Sequence, residues 1–150
     1  MPLDQLNKAV LHAREMMMRA NKAAVRAKQA AGYTHDVYNS VVAKTGIKTV
    51  EEEIRFIPKI RDAYISALTA SRQAQTVLSD AEKAAHLTKE ASRCNDLERA
   101  LKEATNAEKA AEQAELEANI AEIARGTIIC TEIDAIILTS KPKQHRCLIS

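Results

Sequence analysis

The sequence predicts an all-α protein, an antiparallel bundle of three long helices with short connecting and C-terminal helices and coiled-coil-like seams. Its 150 residues include only three glycines and three prolines, aromatic residues make up 3%, and tryptophan is absent. Residues that favour helices dominate instead, a composition typical of long helices rather than of a sheet. Apolar residues also recur at alternating spacings of three and four, the pattern of a helical seam. The core must therefore consist of alanine and aliphatic side chains, and we expect closely approaching helices.

The first helix is indicated by an uninterrupted seam in the first 31 positions. The seam residues are Leu3, Leu6, Val10, Ala13, Met17, Ala20, Ala24, Ala27 and Ala31. Pro2 suits a first helical turn, and Gly32 suits the position just past a helix end. Because the seam ends in alanines, we expect a partner helix to approach most closely near Ala24 to Ala31.

A short connecting helix and a new helix start are predicted after Gly32. Thr34 can cap a connecting helix of about three turns that ends near Gly46. The stretch 49–52, Thr-Val-Glu-Glu, has the form of a capping box and opens the next helix. Pro58 follows, and it predicts a kink or break near Ile57 because proline removes one helical hydrogen bond.

The segment 59–125 contains neither glycine nor proline, so it forms one very long helix or two helices joined by a tight turn. Two seams run through it: Ile60, Tyr64, Ala67, Ser71, Ala74, Leu78, Ala81 and Ala85, then Leu97, Leu101, Ala104, Ala111, Ala114, Ala118 and Ala121. Asn95 is a good N-cap with Glu98 three residues later, which places a turn at Arg93 to Asn95. The three helices are then about 29, 35 and 30 residues long, and matched lengths favour an antiparallel bundle.

Gly126 is expected to end the third helix. Beyond it, 127–138 is predicted as a short amphipathic helix with Ile129, Ile133, Ile136 and Ile137 on one face. Such a helix either completes the bundle core or lies on a membrane interface. The sequence thus predicts a helical bundle over 1–138 and a flexible basic tail over 139–150.

The charges are unevenly distributed along a chain of net charge +2. Segment 1–31 carries six basic and two acidic residues, whereas 96–125 carries four basic and eight acidic ones. The two segments are expected to face each other in one bundle; alternatively, the basic helix binds phosphates or anionic lipid. Nucleic acid is not an expected partner, because no aromatic residues interleave with the basic ones and no recognition motif is present.

The sequence offers few motifs for catalysis or for binding metals and cofactors. The four histidines lack metal-ligand spacings, and no glycine-rich phosphate loop occurs. We therefore expect no metal, no cofactor and no catalytic residue. Three cysteines without a disulfide pattern suit a reducing compartment. The most apolar stretch, 127–138, is too short for a membrane span and contains Glu132 and Asp134.

The last four residues are Cys147, Leu148, Ile149 and Ser150. This order resembles the C-a-a-X signal of prenylated proteins, the class that includes Ras-type GTPases and G-protein gamma subunits. The resemblance implies that a prenyltransferase attaches a farnesyl group to Cys147, after which the last three residues are removed and the new terminus is methylated. No family resemblance extends to the helical body.

Three cations precede this signal, Lys141, Lys143 and Arg146. A single lipid chain binds membranes only weakly, and each cation adds about 1 kcal/mol of attraction to an anionic surface. The sequence therefore predicts a peripheral protein on the cytoplasmic face of a membrane.

The expected function is that of a lipid-anchored helical adaptor or scaffold that binds a protein partner or self-associates, and not that of an enzyme. One alternative is a soluble structural or assembly protein, for instance viral, with a coincidental ending. Another is a prenylated effector of an intracellular pathogen. The last is an enzyme whose site is assembled across helices.

Overall fold

Three long helices make up the described part of the protein. The computed structural model describes the backbone of residues 2–44 and 57–140 and the side chains of 3–41 and 58–131. Helix α1 spans Pro2–Lys44, α2 spans Ile57–Arg93 and α3 spans Leu97–Ser140, and each packs against the other two. The prediction of an all-α bundle of three long helices is confirmed.

Helices α1 and α3 run parallel, with α2 antiparallel to both. The ion pairs His12–Glu108, Arg19–Glu115 and Arg26–Glu122 join residues that are each 96 positions apart. A constant separation along two helices is possible only when they run in the same direction and in register. The single turn between α2 and α3 reverses the chain.

The core is built on one line of residues in each helix, seven positions apart and at most 2% exposed. These core lines are Leu6, Ala13, Ala20, Ala27 and Thr34; Ile60, Ala67, Ala74, Ala81 and Thr88; and Ala100, Ala107, Ala114, Ala121 and Ile128. A strict seven-residue repeat keeps the same helix face towards its neighbours along the whole bundle. Among the described residues, 24 of the 28 buried hydrophobic side chains are alanines.

Thr34 and Thr88 are the last residues of two core lines, and the hydroxyl group of each is hydrogen-bonded. Thr34 donates to the carbonyl oxygen of Ala31 at 2.8 Å, and Thr88 donates to that of Ala84 at 2.8 Å. Because these bonds stay within one helix, a buried hydroxyl avoids the desolvation cost of an unmade hydrogen bond.

The largest rings pack where the last turns of α1 meet the first turns of α2. The ring of Tyr38 stacks on that of Tyr64 with centroids 5.1 Å apart, and the His35 ring lies 5.5 Å from Tyr64. The helix α2 begins at Ile57 with Pro58 in its first turn, where the missing N–H costs no helical bond. The predicted capping box at 49–52 lies outside the described residues.

The two glycines expected to end helices do not do so. Helix α1 continues through Gly32 and α3 continues through Gly126, and neither glycine has a positive φ. The predicted connecting helix after Thr34 is thus the last part of α1, and the predicted C-terminal helix at 127–138 is the last part of α3. Glycine destabilises a helix interior by only about 1 kcal/mol, and burial of neighbouring core residues offsets that cost.

The predicted turn between α2 and α3 is present, but Asp96 and not Asn95 is the N-cap. Asn95 adopts a left-handed conformation with φ 56°, and the Asp96 amide bonds the Ala91 carbonyl at 2.9 Å. That pair of features closes α2 as a Schellman motif. Asp96 then accepts a hydrogen bond from the Arg99 amide at 3.1 Å and so caps α3.

The predicted seams coincide with the core only in part. Their alanines are mostly buried, but Leu3 is 63% exposed and Leu101 is 50% exposed. Ile129, predicted on the apolar face of the C-terminal helix, is 36% exposed. Each helix contacts two neighbours, so the buried arc is wider than one seam and is centred on the core line. Because alanines occupy several positions of the seven-residue repeat, the sequence alone does not determine which of them face the core.

Candidate interaction surfaces

The residues predicted to hold a lipid and to attract a membrane lie outside the described part of the protein. They are Lys141, Lys143, Arg146 and Cys147, and α3 ends at Ser140, just before the first of them. Within 2–44 and 57–140, no helix has a stretch long and apolar enough to cross a bilayer. Among the side chains of 3–41 and 58–131, His, Cys, Asp and Glu form no cluster of three or more that could hold a metal.

The basic face of α1 meets the acidic face of α3, as the charge pattern predicts. Arg19 pairs with Glu115, and His12 Nε2 lies 3.3 Å from Glu108 Oε2. Arg26 donates through Nε to Glu122 Oε1 at 2.6 Å and through Nη2 to Asn119 Oδ1 at 3.2 Å. The side chains of these ion pairs are about 37–45% exposed, so each pair contributes at most about 1 kcal/mol. Their main effect is to set the register of α1 on α3.

The hydrogen bond to Glu122 raises the pKa of the Arg26 guanidinium above its ordinary value. A raised pKa means that the contribution of the guanidinium charge is fully present at neutral pH and is lost only as the pH rises through the raised value. The arginine therefore introduces no pH dependence of stability near neutrality.

Large aliphatic side chains lie on the surface while alanines fill the core. The described residues of this kind are Leu3, Leu11, Met18, Val25, Ile65, Leu101, Leu116, Ile120, Ile123 and Ile129. Three of them follow a spacing of four and three on α3: Leu116 is 56% exposed, Ile120 is 44% exposed and Ile123 is 69% exposed. This spacing places them on one side of the helix.

The charges of α3 around this stripe are directed elsewhere. Glu115 and Glu122 pair with arginines of α1, and the Arg125 guanidinium lies 4.9 Å from the centroid of the Tyr33 ring. The remaining charge between 113 and 130, Glu117, is only 6% exposed.

The buried carboxylate of Glu117 is held by glutamine amides. Gln113 donates to its Oε1 at 3.0 Å. Gln73 of α2, with its amide nitrogen towards the carboxylate, donates to Oε1 at 2.8 Å and to Oε2 at 3.1 Å. These bonds satisfy a buried charge without a cation and tie α2 to α3.

Helix α2 continues the uncharged surface beside the stripe. Its segment 63–79 contains one charged residue, Arg72, which lines the groove towards α1 instead. We call the combined surface the neutral face; it consists of the exposed residues Ser66, Thr69, Gln73, Thr76, Gln113, Leu116, Ile120, Ile123 and Thr127. A shallow groove of about 410 Å³ crosses one end of it, between Ser66 and Ile120, with Lys59 and Asp62 at its rim.

The neutral face is not among the sites that the sequence predicts. Its signal was present as a second apolar stripe at Leu116, Ile120 and Ile123, out of phase with the alanine seam of the same helix. A helix with two apolar stripes contacts either two internal neighbours or one internal neighbour and an outside partner. Only the packed structure shows that alanines face inward and aliphatics outward. The chain matches no protein-family model, no curated protein and no solved structure.

Proposed function

We propose that this protein is a helical scaffold, not an enzyme, that self-associates through its neutral face and works at a membrane surface. The observation that carries the proposal is the placement of Leu116, Ile120 and Ile123, which are 44–69% exposed among uncharged side chains, with Glu112, Lys59 and Asp62 at the edge. Contiguous exposed apolar patches of this kind mark interaction sites in soluble proteins.

The energetics favour an outside contact for these residues. Full burial of one leucine or isoleucine side chain contributes about 1.5–3 kcal/mol, and an alanine contributes much less. The core consists almost entirely of alanines, so the bundle leaves part of its largest apolar area in water. Covering the neutral face recovers that area without repacking the bundle.

A second copy is the occupant that we favour. In a two-fold contact the same patch meets itself, so charges of one sign on the patch would repel. The neutral face carries none among its own residues. The exposed charges beside it are of both signs: Glu112, one turn before Leu116, then Lys59 and Asp62 at one end, and Asp80 and Lys109 at the other. The α1/α3 surface, by contrast, carries charges of both signs.

The membrane part of the proposal rests on Cys147, and it requires Ser150 to be the last residue of the protein. One farnesyl chain with Lys141, Lys143 and Arg146 nearby gives reversible attachment. A dimer would carry two such chains, and the second would bind at a high effective concentration. Self-association and anchoring would thus reinforce each other.

Sedimentation velocity over a range of concentrations tests the self-association. The wild type is expected to shift from the 16.5 kDa monomer towards twice that mass as concentration rises. Ile123→Lys is expected to keep it monomeric, because an ammonium group cannot be buried cheaply in an apolar contact. Met18→Lys is the matched control, since Met18 is 52% exposed on α1. A wild type that stays monomeric, or an Ile123→Lys variant that still dimerises, contradicts the proposal.

Intact mass after expression in eukaryotic cells tests the anchor separately. The wild type is expected to gain a farnesyl group and lose 148–150, and Cys147→Ser is expected to move from the membrane fraction to the cytosol. If the wild type were unmodified and cytosolic, the membrane part of the proposal would be wrong, and only the self-associating scaffold would remain.

A further inference from the structure

A second groove, between α1 and α2, has a different character from the neutral face. It encloses about 410 Å³ and is lined by Lys28, Ala31, Gly32, His35, Tyr64, Leu68, Ser71, Arg72 and Gln75. The volume is within the range of small-molecule sites, which are mostly apolar with a few converging polar groups. Its Tyr64 wall is held by stacking on Tyr38 and by contact with His35. We call it the α1/α2 groove.

Two cations on its rim pair with no acidic residue that the structure describes. Neither Lys28 nor Arg72 forms an ion pair within the described ranges, whereas the arginines of the α1/α3 surface do. No acidic residue occurs in 28–35 of α1 or in 63–79 of α2, and the nearest acid along α1, Asp36, lies 3.6 Å from His35. The rim is therefore a local concentration of positive charge beside an apolar floor.

The floor of the groove contains an unused hydrogen-bonding group. Ser71 is only 8% exposed, and its hydroxyl forms no hydrogen bond with the described residues although it lines the groove. Other helical hydroxyls, such as those of Thr76 and Thr88, bond the carbonyl four residues earlier. No buried side-chain polar atom of the described residues lacks a partner, so the Ser71 hydroxyl is open to the groove, where it can bond a ligand.

Gly32 lines this groove and has no side chain to occupy it. A Cβ atom built there would meet nothing within 4 Å, so the space beside it is empty. A glycine here costs helix stability and is not needed for the backbone, because its φ is not positive.

We propose that the α1/α2 groove binds an amphipathic anion, a ligand with an extended apolar body and one carboxylate or phosphate group. The apolar body lies along Leu68 and Tyr64, and the acidic group meets Lys28 and Arg72. Ser71 donates a hydrogen bond to the ligand's acidic group. The positive charge of Lys28 and Arg72 favours an anionic ligand over a neutral lipid or a cationic peptide. The site is independent of self-association through the neutral face.

The test is titration of the full-length protein with dodecanoate or dodecyl phosphate, each below its micelle concentration, followed by NMR shifts of backbone amides. Saturable shifts centred on 28–35 and 64–75 are expected for at least one of the two, and the tighter binder tells a fatty acid from a phosphate-headed lipid. Dodecyl maltoside, which has the same chain and a neutral head, is expected to bind at least tenfold more weakly. No saturable shifts with either anion, or equal binding of the neutral detergent, overturns the proposal.

Paired glycine variants separate binding from folding. Gly32→Leu fills the groove with a side chain and is expected to abolish binding, although it removes a helix-weakening glycine and should not lower the melting temperature. Gly126→Leu is the matched control, because its Cβ also meets nothing within 4 Å but it lies away from this groove. Arg72→Gln is expected to weaken binding at least fivefold. Undiminished binding by Gly32→Leu or by Arg72→Gln contradicts the assignment.

Discussion

Alanine at the core-line positions lets three helices approach closely along most of their length. Ala20, Ala74 and Ala114 are each 0% exposed, as are the alanines one heptad away on either side. A methyl side chain loses no rotamer freedom and favours the helix. It also leaves no spare volume, so a larger side chain at such a position must push two helices apart.

Ala27→Leu should therefore destabilise the bundle by about 1–3 kcal/mol through overpacking. Ala27 is 0% exposed and continues the core line of α1. Chemical denaturation followed by circular dichroism measures the change. Val25→Leu, at a position that is 47% exposed, should change stability by less than about 0.5 kcal/mol. An unchanged Ala27→Leu midpoint would mean that the core line is misplaced.

Replacing either of the two helix-interior glycines by alanine is expected to raise the stability, whereas Ala27→Leu lowers it. Gly32→Ala and Gly126→Ala should each stabilise the protein by about 0.5–1 kcal/mol, because alanine has the higher helix propensity. Neither glycine has a positive φ, and a Cβ at either position meets no atom within 4 Å. Thermal melts of both variants give the measurement. A loss of stability in either would indicate that its glycine does end a helix.

The spacing of apolar residues is enough to predict those residues of α1 that face the core in every plausible alignment of the seven-residue repeat. Leu6, Ala13, Ala20 and Ala27 belong both to the predicted seam and to the core line. Spacing could not tell that Met16 is buried and Met17 only partly so, since both fit a three-four repeat next to alanines. The second neighbour of each helix decides between them, and a single sequence does not contain that information.

At the level of elements, local signals place the α2–α3 turn but not the other helix ends. The turn 93–96 combines Asn95, which tolerates a positive φ, with the capping carboxylate of Asp96. All four residues are exposed, so no tertiary packing opposes these local signals. Gly32 and Gly126 carry equally strong local signals. They are overridden because buried residues on both sides, such as Ala31 and Thr34, are held by tertiary packing.

Asp96→Ala should cost about 0.5–2 kcal/mol, because the first turn of α3 loses the acceptor for its Arg99 amide. Asp96→Asn keeps an acceptor at the same place and should retain most of the stability. Urea denaturation of the two variants against the wild type checks this. If Asp96→Asn lost as much as Asp96→Ala, the role of the side chain would not be capping.

Across the whole molecule, each pair of helices presents a different surface. The α1/α3 surface carries the ion pairs, the α1/α2 groove carries cations that pair with no described residue, and the neutral face carries aliphatic and small polar groups. The opposite charges of 1–31 and 96–125 were enough to predict the first surface. The α1/α2 groove and the neutral face depend on which residues of α2 face α1 and which face α3. An alanine-rich sequence does not determine this, because its seven-residue repeat can be aligned in several ways.

The central claim, that the neutral face is covered by a second copy, is tested most directly by methyl NMR with a soluble paramagnetic agent at low and high protein concentration. The account predicts that the methyl groups of Ile120 and Ile123 become protected from the agent as concentration rises. The methyl group of Met18 on α1 should stay as accessible as before. Equal accessibility of Ile120 and Ile123 at both concentrations, in a sample that sediments as a dimer, would contradict the claim.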